Sequence, residues 1–138
     1  MMNDNNANEK LEKLEISVPT EIRELVESDE SNFGESVQHD MIHNWSKLVL
    51  YSNGTYQSMT QLHDNSGHRK YGNNITFSLV FADTGSNLCN ISSFSGNFSP
   101  GEVKEYPTTG MSDCVKDNFT LLKEGKIKTN LQWECWKR

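Results

Sequence analysis

Long hydrophobic runs are missing from this chain of 138 residues. None approaches the roughly 18–20 apolar residues that a membrane-spanning helix needs. The first eight residues, Met-Met-Asn-Asp-Asn-Asn-Ala-Asn, carry neither a basic stretch nor an apolar one, so no secretory signal is expected there. Cysteine is scarce. Cys89, Cys114 and Cys135 are an odd number without Cys-x-x-Cys spacing, which excludes the common zinc-ribbon patterns and fits a reduced, cytoplasmic chain with buried thiols. A phosphate-binding glycine loop is absent, because Gly110 stands alone before a helix without the Lys-Ser/Thr pair. No Gly-x-Ser-x-Gly elbow occurs either. The carboxylates of the body are dispersed, so no glycosidase pair can be nominated.

Apolar residues together with the 9 glycines reach roughly 40 % of the chain, a little below the about 45–50 % usual for globular domains. The length suits one domain with a modest core. Charge is unevenly spread. Residues 1–40 hold three bases and eleven acids, a net of −8, whereas residues 41–138 carry +2. An acidic segment repels phosphate and anionic lipid, which argues against nucleic-acid and membrane-surface partners. The segment is either a solubilising arm or one that folds over a basic patch on the body.

Residues 1–9 read as a disordered tail and residues 10–45 as an acidic arm. Within the arm, Thr20 is a candidate N-cap, and Ile22, Leu25 and Val26 follow at helical spacing, which predicts a short helix near 20–28. Val37, Met41 and Trp45 fall four apart and suggest another helical turn or two over 37–45.

From Lys47 onward the period becomes two, and residues 46–138 read as a β-rich domain. Asn53-Gly54 predicts a hairpin between 47–52 and 55–62. Ile75, Phe77, Leu79 and Phe81 form one apolar strand face, with Leu88–Phe94 as the returning partner. A short strand is expected at Val103–Tyr106 and a loop over 107–110. A helix then starts at Ser112 or Asp113, buries Val115, Phe119 and Leu122, and stops at Gly125. The patterned terminal segment Ile127–Cys135 should pair inside a sheet. The fold class is therefore mostly β (α+β), an antiparallel β-sandwich or open barrel of about six short strands with one or two short helices.

Two histidine groups carry candidate chemistry. His39-Asp40-Met41-Ile42-His43 would place two imidazoles on one helix face with an acid between them, as in a zinc hydrolase, although Asp is shorter than the usual Glu. His63-Asp64 sits in the turn sequence His63-Asp64-Asn65-Ser66-Gly67-His68 and offers a further ligand or a base. His39, His43 and His63 together would make a three-imidazole zinc site with an open position. Cys114, in the first turn of the expected helix, is a candidate reactive thiol. A Cys114–Cys135 bridge would require an oxidising compartment.

The aromatic residues support a different reading. Trp136 faces away from Trp133, and Tyr71 and Tyr106 are expected on loops, so these rings offer platforms for a sugar or a peptide. The leading expectation is a non-catalytic binding or protein-interaction module without a cofactor, taking a protein or carbohydrate ligand at Tyr71, Tyr106 and Trp136. The alternative is the metal-dependent hydrolase. Asn-x-Ser/Thr at Asn44, Asn53, Asn74, Asn90, Asn97 and Asn118 adds a third, a glycosylated domain secreted by a route without a recognisable signal.

Overall fold

The computed structural model describes residues 26–138. The strands are β1 (Ser28–Phe33), β2 (Ser36–Gln38), β3 (Met41–Tyr51), β4 (Thr55–Asp64), β5 (Tyr71–Phe81), β6 (Asn87–Phe98), β7 (Val103–Met111) and β8 (Ile127–Lys137). A single helix among the described residues, α1 (Asp113–Lys123), lies between β7 and β8. All pairings are antiparallel. One sheet runs β1-β3-β4-β7, with β2 beside β1 along the same side of β3. The other runs β6-β5-β8, with β5 central. The chain is thus an α+β antiparallel β-sandwich and not a closed barrel.

The β3–β4 hairpin forms where Asn53-Gly54 predicts it, with a three-residue connection. Gly54 N–H donates to Tyr51 O at 2.9 Å, and Gly54 alone takes the left-handed conformation, at φ 93°. That is a type I turn closed by a glycine bulge, a geometry that favours glycine at its last position. Helix α1 also follows its signals. The Ser112 side chain accepts from Val115 N–H, and Gly125 at φ 79° ends the helix. Gly125 N–H donates to Leu122 O and Lys126 N–H to Leu121 O, which satisfies the last carbonyls.

The core lies between the sheets. Met41, Leu48, Leu50 and Leu62 meet Ile75, Phe77, Leu79 and Ile127, with Val115 and Phe119 of α1 closing one side. Each such side chain contributes about 1.5–3 kcal/mol by leaving water. Phe81, expected on the same face, is 38 % exposed, while Val80 is buried. The register shifts toward β6 are extra residues on β6, whereas β5 pairs with β8 without a break as far as Phe81 opposite Ile127, so the exposure of Phe81 goes with its place as the last residue of its strand.

Further local expectations are corrected. Residues 37–45 are not helical: they belong to β2, a turn at His39 (φ 52°) and β3. Met41 is buried, but Val37 is 57 % and Trp45 38 % exposed, so the four-residue spacing does not mark one face. The β3–β4 register shifts between His43 and Trp45, and this bulge turns both His43 and Ser46 inward, which breaks the two-residue period that would have betrayed a strand. Residues 107–110 are strand. Pro107 is tolerated because β7 is an edge strand, where a missing N–H costs no ladder bond. The helix expected near 20–28 falls mostly outside the described residues, and Ser28 already begins β1. The terminal strand is paired along its length with β5, from Ile127 opposite Phe81 to Lys137 opposite Tyr71, but it forms an edge of the second sheet and does not lie inside it as expected.

Candidate functional site

The three histidines do not converge. His43 is buried on the inner face of β3. Its Nδ1 lies 2.9 Å from the Gly34 carbonyl and its Nε2 2.6 Å from Ser46 Oγ, which in turn bonds Thr60 Oγ1 at 2.8 Å. A carbonyl only accepts, so Nδ1 carries the proton and Nε2 accepts from the Ser46 hydroxyl. Burial pushes the His43 pKa down, which keeps the ring neutral. Neither nitrogen is left for a metal. His39 sits in the β2–β3 turn and stacks on Tyr71, with ring centroids 6.2 Å apart. His63 stands on the opposite face of β4 from buried Leu62 and Asp64. The same alternation separates His63 from the Asp64 carboxyl, which removes the acid–base pair. Among the described residues no three His, Cys, Asp or Glu side chains are placed to hold a metal ion.

Cys114 is not a free thiol. It is joined to Cys89, tying the first turn of α1 to β6. The Cys114–Cys135 bridge is therefore not formed, and Cys135 is the buried free cysteine. Burial, assisted by the nearby Asp64 carboxylate, pushes the Cys135 thiol up to about 11, so it stays protonated and unreactive.

Two of the three aromatic candidates are interior. Tyr71 opens β5 rather than lying in a loop. It is 1 % exposed, and its hydroxyl donates to Asp40 Oδ2 at 3.3 Å. Tyr106 lies in the middle of β7 and reaches between Phe94 and Phe98, at ring-centroid distances of 5.1 and 6.3 Å. Neither ring is free to stack on a ligand.

Trp136 is different. It projects from β8 on the outer face of the second sheet and is 44 % exposed. Its indole packs over Gly72, the residue opposite it on β5: a Cβ at Gly72 would fall 2.5 Å from Trp136 Nε1. Gly72 is thus the support on which the ring rests. The next two rows of this face are polar. Register places Ser95, Asn74 and Glu134 in one row across the three strands, and Ser93, Thr76 and Gln132 in the next. Asn74 Oδ1 accepts from Ser95 Oγ at 3.1 Å, and Thr76 Oγ1 bonds Ser93 Oγ at 3.0 Å. These bonds hold hydroxyl and amide groups in fixed positions on a rigid sheet. Beside them, along β8, runs a groove of about 430 Å³ bordered by polar Gln38, Asn74, Thr76, Gln132 and Glu134 and by apolar Leu131 and Trp133. Its wall is fixed by Gln38 Nε2, which donates to Trp133 O at 2.6 Å, and by Trp133 Nε1, which donates to Ser36 Oγ at 2.8 Å.

Such a face offers one apolar ring, several neutral donors and acceptors, and a carboxylate. Of the residues on this face, sequence reasoning singled out Trp136 as a ligand platform and Asn74 as a glycosylation acceptor, and passed over Gly72, Thr76, Gln132 and Glu134. The signal was present: these residues are the polar half of the alternation whose apolar half marks the core. No known protein-family model matches the chain, and no curated protein matches its sequence.

Proposed function

We propose that the protein is a non-catalytic binding module that takes a carbohydrate chain on the outer face of its second sheet. The observation that carries this reading is the exposed indole of Trp136, supported on Gly72 at the margin of a field of hydroxyl and amide groups. A pyranose has an apolar C–H face and an equatorial rim of hydroxyls. The indole suits the first and the side chains of Asn74, Gln132 and Glu134 suit the second. A peptide anchor would call for a deep apolar pocket, whereas this face is shallow and polar.

The Cys89–Cys114 bridge supports a working site in an oxidising compartment in preference to the cytoplasm. Among the described residues no helix is long and apolar enough to cross a membrane.

Binding of the full-length, disulfide-intact protein to an array of neutral and charged oligosaccharides tests the proposal. Specific retention is expected, and Trp136→Ala should weaken it at least tenfold, about 1.4 kcal/mol. Retention of no sugar, or equal retention of the Trp136→Ala protein, would end this reading.

A further inference from the structure

At the end of the second sheet where Trp136 stands, basic side chains from two separate segments border one depression of about 320 Å³. They are His68, Arg69 and Lys70 from the β4–β5 link, and Lys137 and Arg138 from the end of β8. Both segments are held in place. Arg138 N–H donates to Lys70 O at 3.0 Å, and its guanidinium donates to the carbonyls of Tyr71 at 3.1 Å and Phe98 at 2.8 Å. The link is pinned by Ser66, whose hydroxyl accepts from Arg69 N–H and donates to Arg69 O. Ser66 N–H in turn donates to the buried Asp64 carboxylate at 2.9 Å.

Among the described residues no carboxylate pairs with the charge gathered there. The ion pairs among the described residues are Lys47–Glu30, Lys104–Glu102, Lys123–Asp29 and Lys126–Glu124. Arg69, Lys70, Lys137 and Arg138 belong to none of them. The acids on this side are Asp40, whose Oδ2 accepts from Tyr71, and buried Asp64, whose Oδ1 accepts from Ser66 N–H, and neither forms an ion pair with those four bases. Like charges repel, and the backbone at this end brings four of them to one hollow, where an anion would relieve that repulsion. Along β8 the hollow follows directly on the indole: Lys137 and Arg138, the next two residues after Trp136, both line it, with Lys137 alternating to the other side of the strand and Arg138 returning to the side of Trp136.

We infer that the pocket binds the sulfate or phosphate ester group of an acidic oligosaccharide whose neighbouring ring stacks on Trp136. The sugar half of this statement rests on the carbohydrate reading, whereas the anion half stands on the basic cluster alone. A nucleic-acid strand fits the surface less well. It would need further stacking rings and a basic track along the sheet, and among the described residues the outer face offers one exposed aromatic ring, Trp136, together with the carboxylate of Glu134.

The test uses full-length protein with its disulfide intact. Sodium sulfate and, separately, sodium phosphate are titrated at constant ionic strength against chloride, with backbone amide shifts followed by NMR. Saturable shifts confined to residues 68–70 and 137–138, and absent from an Arg69→Gln/Lys137→Gln variant, are the expected result. Unsaturable shifts spread over all basic residues, matching chloride, would overturn the anion site whatever becomes of the sugar reading. The second arm compares sulfated, phosphorylated and unsubstituted forms of one oligosaccharide. At least one ester should bind about tenfold more tightly than the unsubstituted form, with that gain lost in Arg69→Gln/Lys137→Gln and the shared remainder lost in Trp136→Ala. Which ester gains identifies the source of the anion. Saturable sulfate or phosphate binding without any sugar binding would overturn the sugar half and leave the anion half standing.

Discussion

Trp136 and Gly72 face each other across the β5–β8 ladder so closely that the glycine has no room for a methyl group: a Cβ there would approach Nε1 to 2.5 Å and Cε2 to 2.7 Å. The indole is partly exposed and can swing outward, so Gly72→Ala should displace the ring without unfolding the sheet. The expected result is a loss of oligosaccharide affinity close to that of Trp136→Ala, with a stability change within about 1 kcal/mol. Binding assays and thermal melts on both variants check this. Wild-type affinity in Gly72→Ala would show that the ring's position is not what the ligand reads.

A second close approach lies in the interior. A Cβ on Gly96 would fall 2.0 Å from the Tyr106 hydroxyl and 3.2 Å from Asn73 Oδ1. The hydroxyl and the Asn73 amide are buried without a protein hydrogen-bond partner, and burial pushes the Tyr106 pKa up. Gly96→Ala therefore overpacks a filled space and should cost about 1–3 kcal/mol in urea denaturation. Tyr106→Phe removes an unpartnered polar group and should be neutral or stabilising by up to about 1 kcal/mol. The double variant should be less destabilised than the sum of its parts, because the phenyl ring frees space where the new methyl points. Strict additivity would mean that the two residues do not compete for that space.

Much of this architecture is legible where one local rule acts alone. Asn53-Gly54, the Ser112-to-Gly125 helix and the alternation of Ile75, Phe77 and Leu79 each obey one period or one turn chemistry, and each is realised. Legibility fails where two rules compete. The bulge after His43 turns a strand into an apparent helix pattern, and Pro107 looks like a loop residue unless β7 is known to lie at an edge. Tyr71 and Tyr106 look exposed because sequence distance does not reveal which strands cover them. Pairing of Cys89 with Cys114 depends on how β6 and α1 dock, a long-range relation that spacing does not encode. Trp136 was readable from its parity relative to Trp133, but its support and its basic neighbours come from β5 and from the link before it.

His43 makes stability depend on pH in a definite direction. Burial lowers its folded-state pKa below the ordinary value of 6.5, whereas in the unfolded chain it titrates near that value. Between the two values the unfolded chain binds more protons, so stability rises with pH. The contribution of neutral His43 is therefore fully present above pH 6.5 and is lost progressively as pH falls toward the lowered folded value. Denaturation midpoints measured between pH 7.5 and 5 should decline, and His43→Gln, which does not titrate in this range, should flatten that decline. An equal slope in the two proteins would place the pH dependence elsewhere.

The Cys89–Cys114 bridge closes a loop with a sequence separation of 25 residues and fastens α1 to the edge strand β6. Closing a loop of that length removes unfolded-chain entropy worth about 3 kcal/mol. Cys89→Ser, Cys114→Ser and chemical reduction should each lower the denaturation free energy by that order, and reduction should have no further effect on either variant. Thiol titration of the unfolded, unreduced protein should find one reactive group, Cys135. Three groups in protein isolated under non-reducing conditions from its native source would show that the bridge does not form there, and would remove the support it lends to an oxidising compartment. The Trp136 face shares no side chain with the bridge, so the reduced protein at a temperature where it remains folded should keep its oligosaccharide affinity. A parallel loss of affinity and disulfide would mean instead that α1, through β6, sets the geometry of the Ser95–Asn74–Glu134 row.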